Sequence, residues 1–315
     1  MSEPLELITI GRVGVDLYPE QTGVPLAHVR TFAKSLGGSP TNVAVAAARL
    51  GHRAAVITKV GDDGFGIYVR EALAGFGVET TYVGTDAVLR TPVVFCELFP
   101  PDDFPLLFYR QPKAPDLNLR VEELDRAAIA RVPILWTSGT ALSEEPSRGA
   151  TLEAARIARG KVIHDLDHRP AFWPSMLAAR AEATKILEHA QVVVGNIDEV
   201  EMATGLRDPD AAAEALLAMG PELAIVKRGP NGTLARSRSK RVEVPAVRIE
   251  VVNGLGAGDA FGGALVHGLL ASWDLQRVLE FASAAGAIVA SRLACADAMP
   301  TTGEVDTLLG RAAHV

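Results

Sequence analysis

The stretch Asn253–Leu265, NGLGAGDAFGGAL, decides how this chain is read. A glycine-rich turn runs into small and apolar residues with the look of a helix start. One acid, Asp259, sits at the junction. A helix N-terminus offers free backbone N–H groups and the positive end of its dipole, so it attracts anions. Three readings of the carboxylate compete. Asp259 only caps the helix; the glycines are a dinucleotide fingerprint; or the loop holds a phosphoryl group while Asp259 removes a proton from the group that attacks it.

The fingerprint fails on spacing. A G-x-G-x-x-G run from Gly254 needs glycine where Asp259 stands, and it should follow an early strand rather than lie near the C-terminus. No G-x-x-x-x-G-K-[ST] occurs, which excludes a P-loop. Capping accounts for the acid but not for Gly254, Gly256 and Gly258 around it. Glycines let a backbone approach a ligand closely and aim successive N–H groups at it. Such an anion hole suits a transferring phosphoryl group, whose charge spreads over its oxygens. A hydroxyl nucleophile then needs a base beside it.

Outward from this loop, apolar runs alternate with helical patterns. LELITIG (Leu5–Gly11) reads as a buried first strand. SPTNVAVAAARLG reads as a helix with Ser39 at the N-cap, Pro40 at N1 and Gly51 as the stop. AAVITKVG, VPILWTSG, KVIHDLD, AQVVVGN and ELAIVKRG read as further buried strands. This alternation predicts a parallel sheet covered by helices on both faces. Two regions break the rhythm, about residues 13–38 and 89–110, and read as short strands that pair into a small separate β-sheet. TPVVFCELFPPDDFPLLFYR has the form of a hairpin. From Ala257 onward the pattern is mostly helical.

Composition bounds the function. With 315 residues, 48% hydrophobic and 22% charged, the chain is long enough for a large α/β core. Net charge of −7 argues against a general nucleic-acid or anionic-membrane binder. Two cysteines, Cys96 and Cys295, make no disulfide framework and fit a reducing compartment. MSEPLELITIG has neither a basic n-region nor a long apolar run, so a cytoplasmic location is expected.

GGSPTNVAVAAARLG and GLGAGDAF, in this order and far apart, resemble the N- and C-terminal signatures of the ribokinase-like, PfkB-type carbohydrate kinases. The resemblance covers nearly the whole chain. It implies a three-layer α/β/α core with a mostly parallel central sheet plus a small β-sheet lid. Residues 1–315 then form a single kinase domain, with the lid inserted at about 13–38 and 89–110. It also implies that Asp259 is the catalytic base and that the N–H groups of Gly256, Ala257 and Gly258 form the anion hole.

The same resemblance places other residues. Asn196 and Glu199 in NIDEVEMATG match an N-x-x-E motif that organises Mg²⁺ and the nucleotide phosphates; alone, they also read as an N-cap and its N3 partner. Lys227, Gly229 and Gly232 in VKRGPNG fall where relatives meet ATP, although the turn by itself is ordinary and Lys227 could equally be solvated. Asp16, Gly37, Gly38 and Asn42 fall where relatives bind sugar hydroxyls. HDLDHRPAFW puts Asp165, Asp167 and Arg169 at a strand's carboxyl end, where open α/β sheets bind ligands. Its D-x-D-x-R resembles the D-x-N-x-R of sugar-acid kinases, with Asp167 in place of Asn. His164 and His168 read as structural rather than as a zinc pair.

FAKSLGGSP, FYRQPKAPDLNL, SGTALSEEPSR and CADAMPT narrow the resemblance to sugar-acid kinases, among them one of inositol breakdown. The acceptor's carboxylate then needs an arginine, and Arg110 and Arg169 are the candidates. The expected ligands are ATP, Mg²⁺ and a small-molecule sugar acid, with no nucleic acid and no membrane, and a homodimer through the lid. Many relatives carry Asp-Thr where this chain has Asn253-Gly254, so potassium activation is doubtful. A neutral-sugar kinase of the fructokinase or ribokinase type and a catalytically silent sugar sensor are the rival readings.

Overall fold

The computed structural model describes residues 4–311. Its centre is β1 (Leu7–Ile10), buried along its length. Chain reversal after β1 gives β2 (Gly14–Pro19) and β3 (Phe32–Gly37), with one 3-10 turn, Leu26–His28, between them. There follow α1 (Ser39–Arg49), β4 (Ala54–Gly61), α2 (Gly64–Gly75), β5 (Val83–Asp86), β6 (Val93–Cys96) and β7 (Leu106–Tyr109). The alternating half holds α3 (Arg126–Arg131), β8 (Ile134–Ser138), α4 (Ser147–Ile157), β9 (Lys161–Asp165), α5 (Met176–Leu187), β10 (Val192–Asn196), α6 (Ile197–Thr204), α7 (Pro209–Ala218) and β11 (Leu223–Lys227). The chain ends with β12 (Thr233–Ser237), β13 (Arg241–Val244), α8 (Ala257–Leu270), α9 (Leu275–Ala290) and α10 (Thr302–Leu308).

The large sheet runs β13-β12-β11-β10-β9-β8-β1-β4-β5. It is parallel from β5 to β11, and only β12 and β13 add antiparallel. Successive strand residues point to opposite faces. Leu7 and Trp136 accordingly pack with Val43, Phe261, Leu265 and Phe281 from α1, α8 and α9. Ile8 and Leu135 pack with Ile129, Ala154, Ile186 and Leu216 from α3, α4, α5 and α7. Each fully buried Leu, Ile or Phe contributes roughly 1.5–3 kcal/mol. This is the three-layer core that the alternation predicts.

The two irregular regions pair as expected. They form a separate sheet of order β3-β2-β6-β7, and β6 and β7 make the hairpin, Val93 opposite Tyr109. One expectation is corrected. Ser39 is not the N-cap of α1; Gly38 is, and Ser39 and Pro40 occupy the first two helical positions. Gly38 has φ of +106°, and a Cβ there would lie 2.3 Å from the carbonyl oxygen of Arg12. Only glycine lets β3 pass the backbone after β1 and turn straight into the helix.

Candidate active site

The loop before α8 reaches its helix through Gly256, the N-cap, in the left-handed region at φ +82°. A Cβ on Gly256 would sit 2.6 Å from the Cys295 sulfur, so both backbone and packing demand glycine. The first N–H groups of α8 have no carbonyl of their own helix to bond. Gly256, Ala257 and Gly258 therefore present amides at the helix's positive end, and Asp259 stands in the first turn.

Asp259 is held from α1. The Asn42 side-chain amide donates to its Oδ2 at 2.8 Å. Burial raises the Asp259 pKa above the usual carboxylate range, while hydrogen bonds from Asn42 and Ser39 pull it back. The other amide atom, Asn42 Oδ1, is buried without a hydrogen-bond partner among the described residues.

Beyond the carboxyl ends of β9, β10 and β11 lies a charged cluster. Asp165 is raised by burial, countered by Lys227 and raised further by Glu199. Lys227 loses charge stability by burial but gains more from Asp165, Glu199 and Asp259, so its net shift is upward. A Cβ on Gly258 would lie 3.2 Å from Lys227 Nζ, which puts the ammonium at the start of α8. Lys227 is half-buried there, with Asp165, Glu199 and Asp259 as its charged neighbours.

Asn196 and Glu199 form a complete capping box. Asn196 Oδ1 accepts from the Glu199 N–H at 3.0 Å, and Glu199 Oε2 accepts from the Asn196 N–H at 2.7 Å. The box uses one carboxylate oxygen and leaves the second, Oε1, without a hydrogen bond among the described residues. No group of three or more His, Cys, Asp or Glu among the described residues is arranged to hold a metal alone. That donor set fits Mg²⁺, which commonly binds through one or two carboxylates plus substrate phosphates rather than in an all-protein cage. Gly229 is exposed in the turn after β11, at φ +57° with open space around it. Gly232 faces the Val244 carbonyl at 2.1 Å from its Cβ position, so sheet packing explains it by itself.

The small sheet closes the other side. Asp16 on β2 is buried against Gly37, whose Cβ position is 2.1 Å from Asp16 Oδ1. Burial raises the Asp16 pKa to about 6, opposed by Arg12 and reinforced by Asp259. The Tyr18 hydroxyl contacts Asp16 Oδ2 at 3.4 Å and Cys295 Sγ at 2.7 Å. Arg110, just past β7, donates to buried Asp116 at 2.7 Å and lies 5.3 Å from the Phe172 ring centroid. Asp167 has φ of +27°, a backbone conformation uncommon for a non-glycine residue. It accepts from Arg169 Nε at 3.0 Å and from Thr140 Oγ1 at 2.9 Å.

His164 bonds Thr137 through Nδ1 at 2.9 Å and is pushed down to about 3 by burial, as suits a structural imidazole. Asn253 is fully buried; its amide donates to the Leu293 carbonyl at 2.5 Å and accepts from the Leu255 N–H at 3.0 Å. Sequence reasoning missed Arg12, Ser39 as a partner of Asp259, Thr140, Tyr18 and Cys295. Arg12 had a usable signal, since it follows the apolar run of β1 at the carboxyl end of a parallel strand. The others depend on contacts between distant segments.

Likeness to known proteins identifies the family. The pfkB family carbohydrate kinase model matches residues 5–302. A protein of Photobacterium profundum named 5-dehydro-2-deoxygluconokinase is 38% identical over 95% of this chain and 92% of its own length. One of the same name from Bacillus velezensis is 34% identical over 96% of this chain and 94% of its own. The structure of a Xylella fastidiosa fructokinase with bound ATP superposes with a TM-score of 0.86 at 28% identity, covering 97% of this chain and 98% of that one. Among the described residues no helix is long and apolar enough to cross a membrane. A glycine-rich helix start bearing a buried acid, a lysine beside it and a small separate sheet thus accompany a family match over nearly the whole chain, and the protein belongs to the pfkB family of carbohydrate kinases.

Proposed function

We propose that the protein is an ATP-dependent sugar-acid kinase that phosphorylates a primary hydroxyl of 5-dehydro-2-deoxygluconate. The observation that carries this reading is the site's polarity. A base sits at the amide-rich start of α8, and the guanidiniums of Arg12, Arg110 and Arg169 gather under the small sheet. Asp116 and Asp167 pair Arg110 and Arg169, but Arg12 has no hydrogen-bonded carboxylate among the described residues, and a neutral sugar gives no reason for an unpaired buried guanidinium. The relatives' shared name supplies the acceptor, and the ATP-bound fructokinase supports the donor.

Asp259 takes the hydroxyl proton. A carboxylate is a weak base for an alcohol, so transfer comes late, as the oxygen loses electron density to phosphorus. The amides of Gly256, Ala257 and Gly258 hold the phosphoryl oxygens, and Lys227 adds charge on that side. Asp16, Asn42 and the backbone at Gly37 and Gly38 orient sugar hydroxyls. Magnesium would be held by Glu199, with Asn196 fixing that carboxylate, and would neutralise phosphate charge. Gly229 and Gly232 flank the nucleotide side. The small sheet acts as a lid that excludes water. Its exposed Leu107 and Tyr109 support a homodimer through the lid.

ADP release coupled to oxidation of a reporter, run across sugar acids, fructose and ribose, tests the reading. The highest kcat/KM should fall on 5-dehydro-2-deoxygluconate. Preference for 2-keto-3-deoxygluconate would move the assignment within sugar acids, preference for a neutral sugar would overturn it, and no ADP with any acceptor would indicate a sensor.

A further inference from the structure

Arg12 is the anomaly of the site. It follows β1 and is 7% exposed. Its backbone is pinned, because the Thr41 hydroxyl donates to the Arg12 carbonyl at 3.0 Å. Its guanidinium, however, makes no hydrogen bond among the described residues, and Nε is buried without any partner. The closest carboxylate, Asp167, stands 3.8 Å from Nη2, too far for a hydrogen bond. Both Asp167 oxygens are already engaged, Oδ1 by Arg169 and Oδ2 by Thr140. Arg110 has Asp116 at 2.7 Å. Two of the three arginines therefore have a hydrogen-bonded carboxylate, and Arg12 has none.

A buried guanidinium without hydrogen bonds is costly, and here its like-charged neighbours Arg110 and Arg169 add repulsion. Burial lowers its pKa, and the attraction of Asp167 offsets this only in part. Such an arrangement persists where a ligand completes it. The missing group must be anionic and match a planar fork of N–H donors. It is not the transferring phosphate, which has the α8 amides and Lys227. The ring centroid of Phe108, on β7 of the small sheet, lies 5.8 Å from the Arg12 guanidinium carbon, so an apolar ring rather than an anion is its neighbour on that side.

We propose that Arg12 is the specificity-determining residue for the acceptor's carboxylate, which its guanidinium binds as the partner absent from the protein itself. Arg110 and Arg169, anchored on Asp116 and Asp167, shape the subsite and supply field rather than the primary fork. This rests on the sugar-acid reading above.

The experiment compares the sugar acid with its C1 carboxamide, which keeps the shape and loses the charge. Wild type should favour the acid. Arg12→Gln should lose roughly ten- to hundredfold in kcat/KM on the acid, mostly through KM, and little on the amide. The KM for ATP should not move, and the acid should no longer raise the melting temperature. Arg12→Lys retains charge without the fork, and is the variant to read if Gln fails to fold. It should also narrow the acid-to-amide ratio. A wild-type preference for acid with an unchanged ratio in the variants overturns the role of Arg12 alone. A wild type indifferent to the charge overturns the sugar-acid reading and this inference together.

Discussion

The side-chain amide of Asn42 on α1 donates to Asp259 Oδ2 on α8 at 2.8 Å, across 217 positions of sequence. The contact joins the two signature segments and holds one oxygen of the carboxylate. It also leaves Asn42 Oδ1 as an unsatisfied acceptor at the same spot. A single residue thus holds the proposed base and offers a lone pair to the proposed substrate.

Asp259→Asn should lower kcat by about 10²–10⁴. The amides of Gly256 to Gly258 come from the backbone and survive the change, so ATP should still raise the melting temperature. Activity within a few fold of wild type would return Asp259 to a capping role.

Asn42→Ala should move the acidic limb of the kcat/KM profile to higher pH. Burial raises the Asp259 pKa and the Asn42 hydrogen bond lowers it, so removing that bond leaves burial less opposed. The base would then ionise later as pH rises. A profile that drops in height without shifting would show that Asn42 serves only the sugar.

Much of this was legible in the chain. Buried strands such as Val192–Asn196 open on continuous apolar runs, and their type follows from that pattern. The small sheet was legible because Val93–Cys96 and Leu106–Tyr109 flank a proline-rich turn. The start of α1 was misplaced by one residue, because the break at Gly38 is set by the Arg12 carbonyl pressing against it. Arg12 carries only a positional signal in the sequence, at the carboxyl end of β1. One arginine after a strand is unremarkable until Asp167 proves to be occupied by Arg169 and Thr140. Lys227 is ambiguous in sequence because its charged neighbours Asp165 and Glu199 come from β9 and α6.

Glu199→Gln separates charge from capping. The Gln amide oxygen can still accept from the Asn196 N–H, so the start of α6 should hold and the melting temperature should change little. Losing the carboxylate should raise the Mg²⁺ concentration needed for half-maximal rate and lower kcat. A lower melting temperature with unchanged Mg²⁺ dependence would make Glu199 a cap alone.

Potassium should matter little. Asn253 carries no charge and spends its amide on Leu293 and Leu255, bracing the loop instead of facing an ion. Rates in K⁺ and in a bulky inert cation at matched ionic strength should agree. Strong activation by K⁺ would mean that backbone carbonyls suffice for the site.

Asp16→Asn should stabilise the ligand-free protein at alkaline pH while removing sugar binding. Burial raises the Asp16 pKa from 3.8 to about 6, against the pull of Arg12 and with the push of Asp259. A carboxyl whose folded pKa lies above its unfolded value favours folding while protonated. That contribution is present below pH 4 and is lost as pH climbs through about 6. Above that, the wild type holds a buried carboxylate at its full cost, which the amide does not incur. With a shift of about two pKa units, the variant should gain up to ~3 kcal/mol near pH 8, a few degrees in melting temperature. The gain should shrink toward zero below about pH 3, because there the wild-type carboxyl is neutral in both states. The sugar acid, which protects the wild type against heat, should no longer protect the variant. A variant less stable than wild type at pH 8, or a difference that ignores pH, would instead make Asp16 a structural counter-ion of Arg12, and the small sheet would lose its proposed contact to the sugar.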